Sequence, residues 1–155
     1  MNVRATAKRQ YMRIVDRAVE QVGSLRIPPE GWLTTMRKAL GMSVAQLARR
    51  AGVTKAAIYQ AERQERERGI TIRQMEKLAD SLEGRFVYAI VPAHGEVRDH
   101  LRVRARAKAE GIVRRTSSHM ALEKQSLTNE QLVQETERLA NWLVDDMPSD
   151  FWDEQ

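Results

Sequence analysis

Between Trp32 and Leu82 the chain is punctuated at spacings that only short helices can use. Trp32, Leu33, Met36 and Leu40 share one helical face, which stops at Gly41. Ser43 with Gln46 forms a capping-box pattern that opens a second helix, burying Val44, Leu47 and Ala48 and ending at Gly52. Thr54 can cap a third, whose apolar members are Ala57, Ile58 and Ala61. Thr71 with Gln74 repeats the box and opens a fourth, with Ile72, Met75, Leu78, Ala79 and Leu82 inward. Four short helices within residues 30–82 predict a small helical domain.

The flanks read differently. Residues 4–22 place Tyr11, Ile14, Val15, Ala18, Val19 and Val22 at helical intervals, beside a stripe of Arg9, Arg13 and Arg17. Residues 23–29, with Gly, Ser and two Pro, break that helix into a linker or surface turn. After Gly84 the period becomes extended, and Phe86 to Val91 form a β-favouring run closed by Pro92. A lone strand at about 85–91 needs company: across a dimer, from a short strand elsewhere, or from another protein; otherwise it packs as an extended tail on the helices. Residues 94–115 are helical again, with Arg98, Arg102 and Arg106 outward, as a solvated face or a nucleic-acid contact. Residues 116–119 read as a joint, and Thr128 with Gln131 caps a final helix carrying Leu132, Leu139, Trp142 and Leu143. The expected fold is mainly α, divided into an N-terminal helix (1–23), a central domain with its trailing strand (30–92) and a helical C-terminal extension with an acidic tail (93–155).

Composition excludes several function classes. The 155 residues include no Cys, and no apolar run approaches the roughly 20 residues that span a bilayer, which predicts a soluble, cytoplasmic protein with no membrane association. His94, His100 and His119 are scattered, and phosphate loops, dinucleotide fingerprints and nucleophile elbows are missing. Neither a metal, a cofactor nor a catalytic residue is expected, and the chain does not read as an enzyme. Charge is uneven: residues 1–125 hold 25 Lys/Arg and 13 Asp/Glu, whereas 126–155 hold one Arg and eight acids. A basic body attracts polyanions, and the acidic end suits a different partner.

Residues 43–62 have the logic of two helices joined by a tight turn. Ala48 is small where the second helix crosses, Gly52 permits a positive φ, and Val53 and Ile58 lock the pair. In such a unit the second helix enters the major groove N-terminal end first. Base readout is then expected from Lys55, Ala56, Tyr59 and Gln60: Gln60 can pair with adenine, Lys55 can reach guanine acceptors, and Ala56 can touch a thymine methyl, with Tyr59 able to contact a phosphate instead. Ser43, Gln46, Arg49, Thr54 and Arg63 are candidates for phosphate contacts, with Arg50 a weaker one.

The stretch Met36-Arg-Lys-Ala-Leu-Gly-Met-Ser-Val-Ala-Gln-Leu-Ala-Arg-Arg-Ala-Gly-Val-Thr, with the helix that follows, resembles the Cro/repressor-like helix-turn-helix family of the xenobiotic-response-element type over about residues 30–83. The resemblance implies a five-helix-type fold, a double-stranded DNA operator and a structural ion pair between Arg37 and Glu62. The loop from Gln64 to Gly69 is more charged than that family's usual short turn, which leaves the placement of Arg63, Arg66 and Arg68 on phosphates open. A narrower resemblance, carried by the N-terminal helix, this motif, Arg85-Phe-Val-Tyr-Ala-Ile-Val-Pro and the tail from Trp142 to Trp152, is to the family called mobile mystery protein A. It implies an antitoxin-like, autoregulating role beside a companion with a Fic domain. Inhibitors of such domains use Ser or Thr, then Glu four residues on; Ser126 and Glu130 fit this spacing, but Gln131 departs from the position that follows, and Glu130 also simply suits a helix N-terminus.

Beside a nucleoid-like, nonspecific DNA binder, which would leave no preferred footprint, two classes of function follow from these readings. One is a homodimeric repressor, its dimer interface drawn from the β-prone run and the N-terminal helix. The other is a protein-binding inhibitor of a toxin, using the C-terminal half, in which DNA binding is secondary. Phe151 and Trp152, set among acids, either dock into that partner or fold back on the last helix.

Overall fold

The computed structural model describes residues 3–124 and 127–154. Among them are seven helices: α1 (Val3–Val22), α2 (Trp32–Ala39), α3 (Val44–Ala51), α4 (Lys55–Arg66), α5 (Ile72–Ser81), α6 (Val97–Leu122) and α7 (Asn129–Asp146). They form two compact units, one of Ser24–Ala89 and one that joins Met1–Gly23 to Ile90–Gln155.

In the continuous unit, α2 to α5 enclose a core of Leu33, Leu47, Ala48, Ile58, Ala61, Met75, Leu78 and Leu82. Burying each of the larger of these side chains contributes roughly 1.5–3 kcal/mol. Local sequence sets the helix starts: the Ser43, Thr54 and Thr71 hydroxyls accept from the backbone N–H groups of Gln46, Ala57 and Gln74, each at 3.1 Å. The run at 85–91 is neither helix nor turn and takes no ladder partner among the described residues. Phe86 alone packs half-buried against the core, while Val87 and Tyr88 stand exposed.

The other unit is built on α6 folding back into α7. Leu101, Ala105 and Ala109, one turn apart along α6, meet Ala140, Leu143 and Val144, and the alanines let the two backbones approach. On α1, Met12 packs on this core, the Lys8 ammonium donates to the Val144 carbonyl at 2.6 Å, and the Asp16 carboxylate accepts from the Val97 N–H at 3.0 Å. Tyr11 and Ile14, expected on the inner face of α1, are instead 71% and 65% exposed, because that helix carries two apolar strips and α6 takes the one with Met12. Nor is there a joint at residues 116–119: α6 continues to Leu122, and the Thr116 hydroxyl donates to the Ile112 carbonyl at 3.0 Å, keeping it compatible with a helix.

The C-terminal tail belongs to this unit. Phe151 is fully buried, the Arg104 guanidinium donates to the carbonyls of Phe151 (3.1 Å) and Trp152 (2.6 Å), and it lies 4.8 Å from the Trp152 ring centroid. Lys108 donates to the Asp150 carbonyl. With Phe151 at the centre of its own chain's core, it is not an anchor held out for another protein, which corrects that expectation.

Candidate nucleic-acid interface

The turn between α3 and α4 is fixed by two local devices. Gly52 adopts φ +68°, with nothing within 4 Å of where a Cβ would sit, so backbone conformation rather than space requires glycine. The chain then extends through Val53, whose N–H reaches the Ala48 carbonyl at 3.0 Å, and Thr54 caps α4. Ala48 is buried where α3 and α4 pack.

From this cap α4 divides cleanly into two faces. Ile58, Ala61 and Glu62 point inward, whereas Lys55, Ala56, Tyr59, Gln60 and Arg63 are exposed. The four side chains expected to read bases thus share one solvent-facing surface over the first half of the helix, and Arg63 continues it. Arg49 on α3 is exposed as well, and among the described residues Arg49, Lys55 and Arg63 enter no ion pair. Ser43 and Gln46 cap each other reciprocally: the Ser43 N–H donates to the Gln46 side-chain oxygen at 2.7 Å, which leaves the Gln46 amide N–H₂ and the Ser43 hydroxyl proton still able to donate. The Thr54 hydroxyl accepts from Ala57 and keeps its own proton to donate.

Arg37 and Glu62 hold this surface in place. The Arg37 Nε and Nη2 donate to the two Glu62 carboxylate oxygens at 2.7 and 3.4 Å, and Nη1 donates to the Met42 carbonyl at 3.1 Å. Both side chains are largely buried, so this one guanidinium ties α2, the α2–α3 turn and the inner face of α4 together. Arg50 also works within the protein: its Nε donates to the Ser81 carbonyl at the end of α5 (2.8 Å), and Nη2 lies 3.5 Å from Glu83.

Glu65 is a positioning residue that sequence reading missed. Its carboxylate accepts from the backbone N–H groups of Trp32 (2.5 Å) and Leu33 (2.9 Å), capping α2 from 33 residues away, where Gly31 offers no side chain to do so. The signal available was the absence of a capping side chain before Trp32. At the far end of the same helix, Lys38 reaches back to Glu30 at 2.8 Å, and that hydrogen bond holds the Glu30 carboxyl below the usual carboxylate range.

Net charge is concentrated in the same unit. Ser24–Ala89 carries 12 Lys/Arg against seven Asp/Glu, while the other unit carries 14 of each, so the whole net charge of +5 resides on the unit that bears α3 and α4.

The residues expected to bind a protein partner differ in setting. Ser126 lies outside the described residues. Glu130 is exposed in the first turn of α7, and the neighbouring Gln131, the departure from the inhibitory pattern, forms the capping box with Thr128 at 2.9 and 3.2 Å. Trp152 is half exposed at the tail. Among the described residues no cluster of His, Asp and Glu is arranged to hold a metal ion, and no helix is long and apolar enough to cross a membrane.

The family model described as helix-turn-helix matches residues 33–88. No curated protein and no solved structure matches the chain. Residues 33–88 are therefore a DNA-binding domain of the type that regulates transcription, carried on a mainly helical chain.

Proposed function

We propose that the chain is a sequence-specific repressor that binds a double-stranded operator as a homodimer, one α4 to each half-site. The carrying observation is the exposure of Lys55, Ala56, Tyr59 and Gln60 on one face of a capped α4 whose other face is buried. Two-fold pairing places the recognition helices about one helical turn apart on the duplex. The test is selection of a binding sequence from random duplexes by the purified chain, followed by footprinting. A protected palindrome supports the reading, and uniform protection of every sequence defeats it.

The resemblance to mobile mystery protein A supports a finer assignment: the repressor is the antitoxin-like member of a cytoplasmic pair, restraining a Fic-domain toxin and autoregulating its own operator. The electrically balanced unit of α1, α6 and α7 is the part suited to a protein partner, since it adds no net attraction for DNA. Exposed Glu130 and Trp152 are the contacts to test. Cutting the chain at residue 126 would strip α7 from Leu101, Ala105 and Ala109, so surface substitution is the sounder experiment. Glu130→Ala and Trp152→Ala should release a co-expressed Fic toxin while operator binding is retained; unchanged restraint of the toxin would remove both residues from the partner site.

A further inference from the structure

The β-favouring run after α5 is neither helix nor turn, and among the described residues it has no partner strand. Among the described residues, the last backbone hydrogen bond before it runs from the Gly84 N–H to the Ala79 carbonyl, and none involves residues 85–95. A row of unpaired N–H and C=O groups on a β-favouring segment is a template for another strand. Side chains alternate along it. Phe86 and Tyr88 lie on one side with ring centroids 5.7 Å apart and planes 24° from parallel, and Val87 stands between them, 54% exposed. Beside the run lies an apolar groove of about 310 Å³ lined by Leu25, Trp32, Met36, Met75 and Phe86. Leu25, Trp32, Met36, Val87 and Tyr88 all leave more than a third of their surface in water. Contiguous exposed apolar surface of this kind marks an interaction site.

Resting on the dimeric reading above, we infer that residues 85–89 pair antiparallel with the same residues of a second copy, in a register centred on Val87. A strand meeting itself about a two-fold axis is self-complementary, since each N–H to C=O pairing on one side is repeated on the other. The aromatic stack selects the register. Centred on Val87, Phe86 of each copy lies opposite Tyr88 of the second copy, and the two stacked pairs join into one four-ring cluster on a single face. Centring on Phe86 would set Tyr88 against Gly84 and leave its ring only a diagonal neighbour, Phe86 of the second copy, in place of a directly opposed one. The only charge in the segment, Arg85, falls opposite Ala89, so no like charges meet. The same approach covers the neighbouring groove.

The chain has no cysteine, so single-cysteine variants of the full chain test the register directly. Opposed residues in an antiparallel pair have Cβ atoms about 4.5–5.5 Å apart, near the reach of a disulfide, whereas residues four apart lie roughly 13 Å from their own copies. Under a mild oxidant, Val87→Cys should give a covalent dimer and Arg85→Cys and Ala89→Cys should not. By sedimentation the native chain should be a dimer, and Tyr88→Asp should weaken association by at least roughly tenfold, a loss of about 1.4 kcal/mol, with helical circular dichroism unchanged. Val87→Arg serves in its place if Tyr88→Asp does not fold. A monomeric native chain, or a dimer in which Cys at 87 fails to link, overturns the inference. All these readouts are taken without DNA, so they stand or fall apart from operator recognition.

Discussion

The Glu65 carboxylate occupies the space that a side chain at Gly31 would enter: a Cβ built there lies 2.8 Å from Glu65 Cδ. Gly31 also holds φ at +85°, a conformation that L side chains rarely adopt. Gly31→Ala should therefore incur backbone strain and displace the α2 cap together, lowering stability by roughly 2–4 kcal/mol in urea unfolding. Glu65→Ala, which removes the cap alone, should be milder. Equal losses would show that the backbone conformation at Gly31 is not strained by alanine.

The buried pair between α2 and α4 gives a sharper contrast. Glu62→Ala leaves the Arg37 guanidinium buried without its counter-charge and should destabilise by roughly 3–5 kcal/mol, whereas replacing both residues with apolar ones of similar volume should lose much less. A double-mutant cycle by denaturant titration checks this.

On α4, Gln60→Ala should cost roughly 1–3 kcal/mol on the selected operator and relax preference at a single base pair. Arg49→Ala should weaken binding to all sequences alike and lower the salt slope by about one. Fluorescence anisotropy at several salt concentrations separates the two. If Gln60→Ala loses equally on random DNA, that side chain does not read sequence.

In the other unit, Phe151→Ala should destabilise by roughly 3–5 kcal/mol, as for a large aromatic removed from a packed core. Thermal unfolding of the full-length variant, compared with Trp152→Ala, measures this; near equivalence of the two would mean that the tail is not packed in solution as described.

The helix-turn-helix was legible because its signals are local. Ser43 with Gln46, Thr54 and Thr71 announce helix starts within four residues of the bonds that make them starts, and Gly52 marks its turn by a conformational need of its own. Choices decided at a distance were not. Whether Tyr11 or Met12 is turned inward depends on where α6 lies, and no interval within α1 encodes that. Glu65 reads as one more charge on a busy helix until Trp32 and Leu33 are found beneath it. The Ser and Thr of residues 116–118 look like breakers because hydroxyls compete for backbone groups, yet Thr116 bonds back to Ile112 and the helix runs on. Phe151 among acids has the composition of a protruding tail, and only Arg104 and Lys108 on α6 explain why it turns in.

The bond from Lys8 to Val144 also dictates an order of events on the ribosome. Lys8 is made 136 residues before its acceptor, a wait of roughly 7–27 s at ordinary rates of synthesis. Ser24–Ala89 is meanwhile complete and contiguous within the nascent chain. The helix-turn-helix unit can thus mature while its amino-terminal neighbour is still waiting, and translation that stalls before α7 leaves a finished unit attached to an unclosed companion.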